Sequence, residues 1–242
     1  MQSIPLSQKL LGEFVGTFML VFVAVGSAVA GADLLGQAVA NMVVLAVIVA
    51  SYAAVSGAHF NPAVTLAFLT AGRVSLRDAL MYIPLQCFAA TVAAGAIKLL
   101  YSEGGSTDLL AVGAALPSVL EGAVPRVLVG EAIVTCTLMI GVYGTLIDHR
   151  GSSGGGRGVK IGSLGVGMVV AANIFAVGPA TGASMNPARS FGPALVRGEF
   201  DLHWCYWLAC SVGAIAGALL YEWVLLSSSV DDDETVQELV DD

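Results

Sequence analysis

The tripeptide Asn-Pro-Ala stands twice in this chain, at Asn61-Pro62-Ala63 and at Asn186-Pro187-Ala188. Each copy lies between long apolar runs and opens a stretch too short to cross a bilayer. The flanks match as well. Ser56-Gly57-Ala58-His59-Phe60 precedes the first copy and Thr181-Gly182-Ala183-Ser184-Met185 precedes the second. Both read as a hydroxyl residue, Gly, Ala, two residues that differ, then Asn-Pro-Ala.

The surrounding chain has a membrane composition: 57% hydrophobic and 12% charged residues, with a mean hydropathy of +0.84. A spanning helix needs about 20 apolar residues. Six segments meet that need, near 10–31, 36–56, 80–101, 124–147, 160–179 and 203–225. The first follows Lys9 and ends in Ala28-Val29-Ala30, like a secretory leader. It is longer than a leader's apolar region, and its Gly12-Glu13 recurs as Gly130-Glu131, so it reads as a true span. Between spans two and three lies Asn61–Thr70, and between spans five and six lies Asn186–Val196. Ten helical residues reach about 15 Å, half of a ~30 Å hydrocarbon core. These are half-helices, and the Gly-containing lead-ins predict irregular backbone buried at membrane depth.

The chain is an internal repeat. Glu13 to Asn61 is 48 residues and Glu131 to Asn186 is 55, and Thr17 matches Thr135 in the same frame. Each half holds three spans and a half-helix. Three is odd, so the halves enter the membrane from opposite sides and the repeats are inverted. The fold expected is all-α, with six transmembrane helices and two re-entrant half-helices. It forms one channel domain over 1–230, with repeats near 8–101 and 124–226. Residues 231–242 are expected to form an acidic, disordered tail. Seven acids lie in that tail, and the remaining eleven nearly balance ten basic residues.

Lys9, Arg73, Arg77, Arg150, Arg157 and Lys160 fall on the side of the N-terminus, and Lys98, Arg126 and Arg197 on the other. The positive-inside rule then places both termini in the cytoplasm. Gly151–Gly158 reads as a flexible inner loop and Ser102–Val124 as a longer outer one. Cys87, Cys136, Cys205 and Cys210 read as packing residues, and no metal-ligand cluster, nucleophile–base pair or cofactor motif appears. The chain does not read as an enzyme.

Asn at an N-cap followed by Pro at the first helical position starts a helix well. The Asn oxygen takes a backbone N–H, which leaves two amide hydrogens free. Two half-helices meeting at their N-termini place Asn61, Asn186 and two positive dipole ends together. Such donors hold the oxygen of a passing water, turn its hydrogens outward and break a proton relay. The carbonyls of Gly57–Phe60 and Gly182–Met185 can serve as a ladder of acceptors. Arg189, inside the membrane, should face a polar cavity. Glu13 and Glu131 should hold the N–H groups or hydroxyls of the neighbouring loops, and His59 should fasten its loop. His149 and His203 carry little signal.

Over about residues 5–226 the chain resembles an aquaporin of the major intrinsic protein family. The stretches that carry the resemblance are Gly-Glu-Phe-Val-Gly-Thr-Phe at 12–18, Ser-Gly-Ala-His-Phe-Asn-Pro-Ala-Val-Thr at 56–65 and Thr-Gly-Ala-Ser-Met-Asn-Pro-Ala-Arg-Ser-Phe-Gly-Pro-Ala at 181–194. The resemblance implies a pore in each subunit of a homotetramer, passing water and small neutral solutes through the lipid bilayer while excluding protons and ions. Nucleic acid is no partner. By the family's spacing the outer selectivity filter falls on Asn41, Ile174, Ala183 and Arg189. Strict water channels have an aromatic at the first of these positions and His at the second. This filter is wider and resembles those of plant vacuolar and some microbial members. Ser190, Ala194 and Tyr206-Trp207 fit the water-channel branch instead. The alternative is a facilitator mainly for glycerol, urea or ammonia; a third reading, an ion-coupled transporter, lacks an acid–base pair. The short connection after Ala30 favours a cell membrane, with a vacuolar membrane as the other possibility.

Overall fold

The computed structural model describes residues 4–101, 123–148 and 161–226. Every regular element among them is helical: α1 (Leu6–Val29), α2 (Leu34–Ser56), α3 (Pro62–Thr70), α4 (Leu76–Leu100), α5 (Ala123–Val142), α6 (Gly162–Thr181), α7 (Pro187–Arg197) and α8 (His203–Leu220). Helices α5 and α8 run on into short π-helical turns, Tyr143–Ile147 and Tyr221–Leu226. The six long helices are apolar and long enough to cross a membrane, and α3 and α7 are the two short ones between them. Helices α1 and α4 begin at Leu6 and Leu76, earlier than their apolar runs suggest. Their first turns carry polar residues, and the Ser75 hydroxyl caps α4 by accepting the N–H of Asp78 at 3.0 Å. The loop expected at Gly151–Gly158, the acidic tail, His149 and nearly all of the outer loop lie outside the described residues.

The ends of the elements follow from local chemistry. Asp33 caps α2 by accepting the N–H of Gly36 at 2.7 Å. Helices α2 and α6 stop at Gly57 (φ 90°) and Gly182 (φ 82°), left-handed positions where a Cβ would be strained. Each glycine turns the chain back into the bundle, and Asn-Pro then starts the half-helix.

Packing repeats in the two halves. Helix α1 packs on α2 and α4, and α5 packs in the same way on α6 and α8; α2 against α6 joins the halves. The half-helices cross over, with α3 lying on α8 and α7 on α4. Each half-helix thus packs more on the opposite half than on its own, and the two repeats complete each other. The outward faces are apolar: Phe88, Ile133, Met168 and Val212 are all exposed. The buried interior instead holds Glu13, Glu131, Gln86, Asn61 and Asn186. A polar interior inside an apolar surface is the arrangement that lipid selects. At the side of the N-terminus Lys9 pairs with Asp78 at 2.8 Å and Arg73 pairs with Glu222 at 2.6 Å.

Without a hydrophobic drive between helices in lipid, close backbone approach must supply the contact. At the α5–α8 seam a Cβ on Gly213 would stand 2.1 Å from the Ala132 carbonyl oxygen. Gly95 in α4 has nothing within 4 Å of that position. Gly213→Val should therefore destabilise the bundle by about 1–3 kcal/mol, the usual cost of overpacking. Gly95→Ala should hold or raise stability. Thermal unfolding in detergent, followed by size-exclusion recovery, checks both; equal behaviour of the two variants would contradict the packing described.

Candidate functional site

The loops before α3 and α7 share an unusual backbone. Ala58 (φ 53°), Phe60 (φ 50°), Ala183 (φ 45°) and Met185 (φ 53°) all sit in the left-handed region without being glycine. Such residues cost of order 1–3 kcal/mol each and persist only where the surroundings over-determine them.

Two buried carboxylates do that. Glu13 accepts the N–H of His59 at 2.9 Å and of Phe60 at 2.7 Å, the Ser56 hydroxyl at 2.7 Å and the Gln86 amide at 2.9 Å. Glu131 accepts the N–H of Ser184 at 2.9 Å and of Met185 at 2.8 Å, and the Thr181 hydroxyl at 2.6 Å. Cys210 takes the place of Gln86 in this half, with its sulfur 3.7 Å from Glu131. The hydroxyls of Tyr82 and Tyr206 tie down the last carbonyls of α2 and α6, at Ser56 (2.9 Å) and Thr181 (2.7 Å). Tyr82 and Gln86 lie outside the motifs. Their signal is the repeat register itself, which aligns Tyr82 with Tyr206 and Gln86 with Cys210.

The asparagines meet as the inverted repeat requires. Asn61 Oδ1 accepts the Ala63 N–H, and Asn186 Oδ1 accepts those of Ala188 and Arg189. Each carboxamide then reaches across. Asn61 Nδ2 donates to the Met185 carbonyl at 2.7 Å, and Asn186 Nδ2 donates to the Phe60 carbonyl at 2.9 Å. This corrects the expectation of two free hydrogens per side chain: one is spent on the opposite loop and one remains. It also shortens the acceptor ladder. Phe60 and Met185 carbonyls are engaged, and that of Gly182 receives Arg189 NH1 at 3.3 Å. The carbonyls of Gly57, Ala58, His59, Ala183 and Ser184 accept no hydrogen bond among the described residues.

A narrow cavity of about 60 Å³ runs between these loops. At about 10–15 Å³ per water it holds roughly four to six waters. One wall is apolar, with Leu20, Leu45, Val49, Val64, Phe68, Leu138 and Val170; the other carries Asn61, Asn186, Arg189 and the loop backbones. Of the four residues assigned to the filter, Asn41, Ala183 and Arg189 line it. Ile174 is buried but is not among the lining residues. Asn41 Nδ2 donates back to the Gln37 carbonyl at 2.8 Å. No carboxylate pairs with Arg189 among the described residues.

His59 also lines the cavity. The single hydroxyl proton of Thr65 goes to the Asn61 carbonyl at 2.9 Å. The 3.1 Å contact between His59 Nδ1 and Thr65 Oγ1 therefore runs from the ring N–H to the hydroxyl oxygen. The proton sits on Nδ1, and Nε2 is left as an acceptor. His203 lies apart, accepting the Trp207 indole N–H at 3.0 Å.

A path with this geometry can orient small dipoles in a row, and Arg189 is the one cation among its described lining residues. Comparison with known proteins agrees. The family model for the major intrinsic proteins matches residues 1–221. Aquaporin TIP4-4 of Zea mays is 39% identical over 231 residues, covering 91% of this chain and 87% of that protein. Nodulin-26 of Glycine max is 39% identical over 228 residues, covering 92% and 79%. The aquaglyceroporin from Plasmodium falciparum superposes with a TM-score of 0.73 at 22% identity, over 91% of this chain and 97% of its own, a likeness of fold alone. The repeated half-helices and a match over nearly the whole length have one meaning: this chain is an integral membrane protein that belongs to the major intrinsic protein family.

Proposed function

We propose that the chain is a passive channel, with the cavity between the two re-entrant loops as its pore and water as its main cargo. The observation that carries the reading is the reciprocal asparagine pair. Each of Asn61 and Asn186 spends one amide hydrogen on the opposite loop and keeps one, at the wall of a cavity only a few waters long. A water between them accepts from both and donates outward to the free loop carbonyls. It cannot accept a further proton and pass it on. The N-termini of α3 and α7 add positive potential at the same place, opposing hydronium and metal cations. The plant relatives are named aquaporins, which supports the same reading.

Asn41, Ala183 and Arg189 form the narrow outer part of the pore in this proposal, with Ile174 behind it. Glu13, Glu131 and His59 act as supports. A filter without aromatic or imidazole bulk admits small neutral solutes beside water. The whole channel is one domain, with repeats over 8–101 and 124–226 and the acidic segment 231–242 outside it. It assembles as a homotetramer, and both termini face the cytoplasm.

Reconstituted protein should speed osmotic shrinkage of liposomes several-fold over empty vesicles without collapsing a pH gradient. Stopped-flow scattering and an entrapped pH dye measure the two. Shrinkage no faster than in empty vesicles, or rapid dissipation of the gradient, would overturn the proposal.

Arg189→Val should raise the leak of protons and small cations by about an order of magnitude, since it removes a fixed charge from a low-dielectric path. Water flow should change little. An unaltered leak of every ion would place the guanidinium outside the conducting path.

Because Asn41 lines the cavity and Ile174 does not, Asn41→Phe should lower the ratio of urea or glycerol permeability to water permeability by itself. Ile174→His should move that ratio much less. The comparison needs only light scattering with each solute in turn, and equal effects of the two changes would reject the assigned filter.

A further inference from the structure

The reciprocal asparagine pair depends on where two carbonyls point, those of Phe60 and Met185. The two halves hold these residues by different means. In the first, the Phe60 ring lies directly over Gly16, where a Cβ would stand 2.1 Å from the ring. Ile48, fully buried, belongs to the same apolar cluster. A rigid aromatic ring seated on bare backbone fixes Phe60 by shape.

The second half lacks that fit. Met185 replaces the ring with a flexible thioether chain, and in the repeat register Val134 replaces Gly16. The register that pairs Ser56 with Thr181 and Asn61 with Asn186 sets Asn173 opposite Ile48. Asn173 is 93% buried and lies outside the cavity wall. Its Nδ2 donates to the Met185 sulfur at 3.2 Å and to the Val134 carbonyl at 2.9 Å. Its Oδ1 lies 3.0 Å from the Thr137 hydroxyl, which shares its proton with the Val134 carbonyl at 2.9 Å. A buried carboxamide among helices in lipid is costly to place and is kept where its bonds have a use. The side-chain bonds of Asn173 reach Met185 on one side and Val134 and Thr137 of α5 on the other.

We infer that Asn173 is a positioning residue of the pore: through the Met185 thioether it holds the second re-entrant loop so that the Met185 carbonyl stays in place for Asn61. Met185 has φ 53°, a conformation a flexible side chain does not secure by itself. With its sulfur bonded to Asn173 and its N–H bonded to Glu131, both sides of the residue are pinned. Release of the thioether lets the residue relax. Asn61 then loses its acceptor, its carboxamide turns, and the central water loses one of its two fixed donors. The half-one solution, apolar packing at Ile48, is not available with Met and Val in place of Phe and Gly.

The inference rests on the proposed water channel, and the test separates the two. Full-length Asn173→Leu, Met185→Leu and the double variant are reconstituted beside the native chain, with permeability normalised to folded protein per vesicle. If the native chain speeds no water flow, both readings fall. If it does, each single variant should lower water permeability and raise proton leak by about fivefold, the worth of one neutral buried hydrogen bond. The double variant should do no more than either single one, because both remove the same contact. Effects that multiply in the double variant would mean that Asn173 acts through general packing, and would overturn the inference. Native proton exclusion in Asn173→Leu would overturn it too. Where Asn173→Leu does not fold, Met185→Leu and Thr137→Val decide: raised proton leak in both supports the inference, and unchanged leak in either overturns it.

Discussion

The structure turns on a mutual dependence at the centre of the bundle. Each half-helix begins with an asparagine that caps its own first turn and holds the loop that leads into the other half-helix. Asn61 to the Met185 carbonyl and Asn186 to the Phe60 carbonyl are two bonds of 2.7 and 2.9 Å across the repeat axis. In water such bonds would be worth little beyond their exchange with solvent. Inside a helix bundle in lipid the alternative is an unsatisfied carbonyl in a low dielectric, and the penalty for leaving one open is several kcal/mol. The pair is therefore as much a structural joint as a functional group. The same side chains keep one further amide hydrogen each and line the cavity.

That joint needs loops bent against their preference. Four non-glycine residues in the left-handed region are tolerated because Glu13 and Glu131 each accept two successive backbone N–H groups and a hydroxyl. A carboxylate suits this work better than a neutral acceptor, since it can accept from several donors at once. The supports are not copies, however. Gln86 and Thr65 extend the first carboxylate's network to His59, whereas Cys210 and the Ser184–Ser190 contact occupy those places in the second half. The first half consequently presents an imidazole acceptor to the cavity, and the second presents a guanidinium.

Much of this was legible in the chain. Pro at the first helical position and Asn before it fix the starts of α3 and α7 to the residue, because capping chemistry is local. The six spans were legible from length and polarity alone, with errors of a few residues where polar first turns hide a helix start. The repeat, read from Glu13, Thr17 and the two motifs, gave the inverted pairing. The fate of the second amide hydrogen was not legible. It depends on a contact between residues 124 apart, which no local pattern encodes. The left-handed Ala58, Phe60, Ala183 and Met185 were hidden for a related reason, since only the buried carboxylates make those angles tenable. Ile174 lies on the face of α6 that carries the lining residues Val166 and Val170, one turn beyond Val170, so position along the helix axis, not rotation, sets its relation to the cavity.

Inverted repeats of this kind separate two problems. The central joint must be nearly symmetric, because each asparagine serves the opposite loop, and here both bonds and both carboxylates are kept. The walls on either side face different compartments and gain nothing from symmetry. Asn41, Arg189, His59 and Phe68 all line the cavity, with no like residue at the repeat-related positions. The asymmetry reaches into the packing behind the loops, where Gly16 and Ile48 in one half answer to Val134 and Asn173 in the other. Changes to the wall of one half therefore require a second means of holding its loop. A polar residue buried behind a flexible one is such a means, and it leaves the geometry of the central pair intact.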